Sequence, residues 1–116
     1  TEADLEEFRI MLIDRFGTIP KETEELIRVV QLRRMAVILG LEKIVLKQQK
    51  MLCYFISNKE SDFFDSVIFQ NMLNTLQKHP RLARMQEHGG KLRLVVDKAE
   101  SISQAIEILD EFMVVG

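Results

Sequence analysis

The chain has 116 residues, is 47% hydrophobic and 29% charged, and carries a formal net charge of -2 with a single cysteine. A chain of this size buries enough apolar surface to fold as one domain, residues 1–116, without disulfides or a structural metal, and its composition lies outside the disordered and membrane classes. The charge balance gives no overall pull toward nucleic acid or acidic lipid, every apolar run is far shorter than the roughly 20 residues a membrane helix needs, and the lone Cys53 fits a reducing, cytoplasmic compartment.

The segment Thr1 to Glu7 is acidic and lacks the basic start and apolar stretch of a secretory leader. Leu5, Phe8, Leu12 and Phe16 then recur at helical spacing, and Thr1 with Asp4 fits a capping box, so a helix is predicted over about residues 2–16 with Gly17 ending it. Pro20 suits a first helical turn, Glu22, Glu24 and Glu25 sit at the positive end of the dipole, and apolar positions from Leu26 to Leu39 predict a second helix over about 20–39. Gly40 followed by Leu41 reads as its left-handed cap.

From Lys43 the period changes to two. Ile44 and Leu46 alternate with lysines, Gln48-Gln49-Lys50 reads as a turn, and a second run covers Met51 to Ile56, so a hairpin is predicted. The polar stretch from Ser57 to Asp62 is a loop. Ile68, Met72, Leu73 and Leu76 mark a third helix, capped by Asp65 or Ser66 and stopped before Pro80.

Residues 81–87 pair across His88-Gly89-Gly90 with Lys91 to Val96, the glycines supplying positive φ. Ser101 and Gln104 box the start of the last helix, whose stripe is Ile102, Ala105, Ile106, Leu109 and Phe112. The order α-α-β-β-α-β-β-α predicts an α+β fold, a small antiparallel sheet packed with helices. The units 43–78 and 81–114 echo each other in element order, though their residues do not match well enough to indicate duplication.

Chemistry finds little to rest on. No Gly-x-x-x-x-Gly-Lys loop exists, and Gly89-Gly90 precedes no helix, so it reads as a hairpin turn rather than a phosphate cradle. His79, His88 and Cys53 are separated by strand-like sequence, which argues against a metal site, and Cys53 alternates with Leu52 and Tyr54 as a buried, inert thiol. The carboxylate pairs Glu24-Glu25 and Asp110-Glu111 read as solvated helix faces. No catalytic residue, metal or cofactor is expected.

Two binding readings remain. Lys78, Arg81, Arg84, Lys91 and Arg93 crowd one hairpin, around residues 78–93, with Glu87 opposing, and Arg33-Arg34 adds a second basic spot, which suits a nucleic-acid-binding accessory module, against the acidic balance and the lack of interleaved aromatics. In the first helix, the apolar stripe puts Glu7, Met11 and Asp14 on the opposite, outward side. Asp14 in the last turn opposes the dipole, so either an arginine such as Arg15 compensates it locally or Met11, Asp14 and Arg15 form a docking surface with an apolar centre and charged rim.

The run Leu12-Ile13-Asp14-Arg15-Phe16-Gly17, then Ile19-Pro20 and Leu39-Gly40-Leu41-Glu42-Lys43-Ile44, resembles the C-terminal domain of bacterial transcription-repair coupling factors. The likeness continues more loosely through Leu76-Gln77-Lys78, Pro80 and the last helix. It implies a non-catalytic terminal module of a DNA translocase that acts on stalled RNA polymerase and recruits UvrA. By the same resemblance this module packs on the UvrA-binding region of its own protein and masks it, with Asp14 and Arg15 at motif positions. Met11 departs from the resemblance, which implies a more polar residue there. The predicted partner-binding residues are Glu7, Met11, Asp14 and Arg15.

Overall fold

Helix α1, Glu2–Phe16, starts where Thr1 Oγ1 accepts the backbone N–H of Asp4 at 3.2 Å and ends at Gly17, φ 80°, whose N–H reaches the Ile13 carbonyl at 2.8 Å. The computed structural model describes residues 1–113, so residue 114 of the second echo unit lies outside the described residues. Helix α2, Lys21–Ile38, begins one residue later than predicted because Pro20 is extended, at ψ 148°, and sits outside the first turn. Gly40, φ 68°, closes α2 by donating to the Val37 carbonyl at 3.2 Å, as its left-handed cap requires.

Strands β1, Leu41–Lys47, and β2, Lys50–Phe55, join through Gln48-Gln49, both at positive φ (51° and 64°). A 3-10 turn, Asp62–Asp65, occupies the end of the expected loop, and Ser66 Oγ then accepts the Phe69 N–H at 3.1 Å to start α3, Val67–Lys78. Strands β3, Ala83–His88, and β4, Lys91–Val96, turn on Gly89-Gly90. Helix α4, Ile102–Met113, is capped by Ser101 Oγ at 3.0 Å from the Gln104 N–H; the Gln104 side chain reaches the N–H of Glu100, one residue before the expected one.

The four strands form one antiparallel sheet in the order β1-β2-β4-β3. The two ββα units therefore meet through their inner strands, in the register Met51↔Val96 and Cys53↔Leu94. Side chains alternate across a strand, so Met51, Cys53, Phe55, Leu94 and Val96 share one face. That face, Met35, Met72, Leu109 and Phe112 from the helices, and Leu39 just after α2 make the core. Phe55, Phe63, Phe64 and Phe69 add a cluster of rings with centroids 5.1–6.3 Å apart. Asn71, buried on α3, donates to the Phe112 carbonyl at 3.1 Å and so satisfies a carbonyl at the end of α4.

Candidate functional site

The C-terminal part of α2 rests on the sheet and α4; among the described residues α1 packs chiefly on α2 and contributes no buried residue. The α1 side chains turned toward α2 are Leu5, Arg9 and Leu12, all half-buried. Arg9 is the anchor. Its Nε donates to both carboxylate oxygens of Glu24, at 2.8 and 3.1 Å, and this pairing raises the Arg9 pKa. Gln31 Nε2 to Glu2 at 3.2 Å and Arg34 Nη1 to the Thr1 carbonyl at 2.7 Å complete the seam. Glu24 is thus a structural ion-pair partner, where the sequence suggested a solvated face.

The predicted core stripe of α1 is only half buried in the structure. Leu5 and Leu12 face α2, but Phe8 is 47% and Phe16 72% exposed. At about 100° per residue the stripe centred on Leu5, Arg9 and Leu12 leaves Phe8 on its flank, and Phe16 lies at the hairpin tip beyond the packed part of α2. Leu26, Val30 and Ile38 on α2 are likewise exposed rather than covered.

Opposite that stripe the same rotation places Glu7, Met11 and Asp14, all exposed, Met11 at 58%; Arg15 is exposed at the edge, its guanidinium 5.8 Å from the Phe16 ring centroid. Among the described residues no ion pair reaches Asp14, so local compensation by an arginine is not what the structure shows. The four predicted partner-binding residues therefore lie along one side of α1, with Phe8 on the flank adding apolar surface that the sequence assigned to the core.

The buried thiol expected at Cys53 is what the structure shows. Cys53 is fully buried in the sheet, and burial pushes its thiol pKa up to about 12, so the reactive thiolate is scarce at neutral pH. Among the described residues no three metal-ligating side chains converge. The cleft of about 520 Å³ between Phe55, Phe64, Phe69 and the β3–β4 turn is apolar at its floor, with Lys59 and Glu87 pairing at 3.6 Å across its edge.

The basic hairpin is partly spent on internal pairs. Arg84 and Lys50 both meet Asp97, the latter at 3.9 Å, and Lys91 meets Glu42 at 3.2 Å. Lys91 and a hydrogen bond from Ser57 at 2.8 Å hold the Glu42 carboxyl below its usual pKa, the Ser57 bond contributing most. Arg93 grips Gln86 Oε1 and donates to the Tyr54 hydroxyl at 3.1 Å. These cations do not lie along one hairpin edge: Arg84, Lys91 and Arg93 rise from one sheet face, while Lys78 and Arg81 lie before β3.

An α+β domain with an anchored but projecting helical hairpin is thus defined by the geometry. The family model described as the TRCF domain matches residues 1–66, which is more than half of the chain and takes in α1, α2 and the first strand hairpin; the chain belongs to this family. A solved structure, described as the crystal structure of the C-terminal domain of transcription-repair coupling factor, superposes with a TM-score of 0.70 at 18% identity, covering 97% of this chain and 70% of that one. At that identity the likeness establishes the shared fold. No curated protein matches the chain. Among the described residues no helix is long and apolar enough to cross a membrane.

Proposed function

We infer that residues 1–116 are one regulatory, non-catalytic domain of a cytoplasmic transcription-repair coupling factor, which docks on the UvrA-binding region of its own protein and keeps it masked. The reading rests on family membership together with one observation: Asp14 and Arg15, inside the matched segment, stand exposed on the free side of α1 beside Met11. An uncompensated carboxylate beside an exposed apolar side chain suits a partner surface that supplies a cation and an apolar contact. Such a clamp works by population: contact energy favours the closed form until the motor engages and opens it.

The test is charge reversal in the intact factor. Asp14→Lys, alone and combined with Met11→Ala, is expected to expose the masked region and raise UvrA capture in a pull-down, while Glu107→Lys on α4 leaves it masked. Unchanged capture by the Asp14 and Met11 variants, with the fold verified by circular dichroism, refutes this docking surface.

A further inference from the structure

The helices cover one face of the sheet and leave the other open. Alternation places Lys43, Val45 and Lys47 of β1 on that open face, with Lys50, Leu52 and Tyr54 of β2, Lys91, Arg93 and Val95 of β4, and Arg84 and Gln86 of β3. None of these residues belongs to the core cluster or to the partly buried residues packed on it.

The open face is cationic in an acidic chain. Lys43, Lys47, Lys50, Arg84, Lys91 and Arg93 rise from it, against Glu42 and Asp97 at its ends. Six cations over two carboxylates leave four positive charges, whereas the whole chain carries -2, so the rest of the molecule holds a six-charge negative excess. Lys47 and Lys50 stand directly opposite in the register, a like-charge arrangement that disfavours the isolated sheet. The ion pairs present are exposed and so are readily exchanged for an incoming anion.

The side chains select the kind of anion. A protein interface buries an apolar centre and is depleted in lysine. Here four of the six cations are lysines, and the apolar row Val45-Leu52-Val95 is roofed by its neighbours, Val95 being only 2% exposed. Lysines serve phosphates as point charges without demanding a fixed partner geometry. Tyr54, the one phenol ring on the face, already has the Lys43 ammonium 5.6 Å and the Arg93 guanidinium 5.8 Å from its centroid, so it favours charge contact over base stacking, and His88 at the far end of β3 is the other ring there. We propose that the open face of the sheet is a docking surface for the phosphate backbone of a nucleic acid, read without sequence preference. It is built on the strands and is separate from the α1 surface assigned to the intramolecular clamp.

The test uses the purified protein and fluorescence anisotropy with a labelled oligothymidylate, a duplex of equal length and polyglutamate. Binding to a nucleic acid is expected at low salt, and the two nucleic-acid probes distinguish a single strand from a duplex as its source. For a single strand, neutralising four phosphates gives a slope of about -3 in log K against log salt. Lys43→Glu/Lys47→Glu, both exposed, should weaken binding by about tenfold or more, while Lys21→Glu/Lys78→Glu, the same charge change off the sheet, leaves it within about twofold. Equal weakening by the two double variants would mean a net-charge effect and overturns the proposal. Polyglutamate binding as tightly as either nucleic acid overturns it in favour of an acidic protein segment, and no binding to any probe at low salt overturns it outright.

Discussion

Replacing Gly40 with alanine probes the joint where α2 hands the chain to β1. The residue sits at φ 68°, and its carbonyl accepts the Ile56 N–H at 2.9 Å, so the left-handed turn cannot relax without loosening β2. An L side chain in that conformation costs about 1–2 kcal/mol. A Cβ there would also lie 2.5, 2.6 and 2.7 Å from Cε2, Cζ and Cδ2 of Phe63, so the ring must retreat by about 1 Å to reach ordinary contact. That retreat disturbs ring contacts to Phe55, Phe64 and Phe69 at 6.3, 5.5 and 5.6 Å, an overpacking worth about 1–3 kcal/mol.

The expected loss is therefore about 2–5 kcal/mol, read as a lower urea midpoint at unchanged m-value. Gly89→Ala is the control. It shares a positive φ of 60° but has nothing within 4 Å of the added carbon, so its cost is the backbone share of about 1–2 kcal/mol. Shrinking the ring in Gly40→Ala/Phe63→Leu removes the clash, so the double variant should be more stable than the two single losses predict, by about 1–3 kcal/mol. Equal losses for Gly40→Ala and Gly89→Ala, or strict additivity in the double variant, would refute the steric argument.

Two further predictions concern the sheet. In the β1–β2 turn, glutamines at φ 51° and 64° occupy positions that favour Asn and Gly, so Gln48→Asn/Gln49→Gly should stabilise the protein by about 0.5–2 kcal/mol, seen as a raised urea midpoint. For Cys53, a folded thiol pKa of about 12 against an ordinary 9.0 means the native state holds its proton where the unfolded chain releases it. This contribution is intact below pH 9 and is lost as pH rises toward 12, at up to about 1.4 kcal/mol per pH unit. Between pH 9 and 11, stability should thus fall more steeply in the native protein than in Cys53→Val, and iodoacetamide should label Cys53 only on unfolding; parallel alkaline limbs with rapid labelling would contradict the burial.

The element order and caps were legible because they are written locally. Thr1, Ser66 and Ser101 each accept the N–H three residues on, and Gly40 and Gly89-Gly90 supply the positive φ that their positions announced. What stayed hidden is set by contacts distant in sequence. Periodicity identified an apolar side to α1 but not how far its partner extends; α2 gives it Glu24 and a short apolar seam, so Arg9 goes inward while Phe8 and Phe16 remain outside. Phe63 and Phe64, adjacent and without period, gave no helical or strand signal, yet they pack with Phe55 and Phe69 around Gly40.

The docking face of α1 and the cationic face of the sheet differ in legibility for the same reason. Glu7, Met11 and Asp14 share a side because they lie on one helix, and helical geometry fixes that from the spacing alone. Lys43, Arg84 and Arg93 share a face only because β2 pairs with β4, a long-range contact between two hairpins that no local pattern encodes. Along the chain, the arginines of the second hairpin group with Lys78 and Arg81; across the sheet, they join the lysines of β1 and β2 instead. A substitution at Lys43 and one at Arg84 should therefore weaken phosphate binding together, although 41 positions separate them in sequence, while substitutions at Lys78 and Arg81 should not.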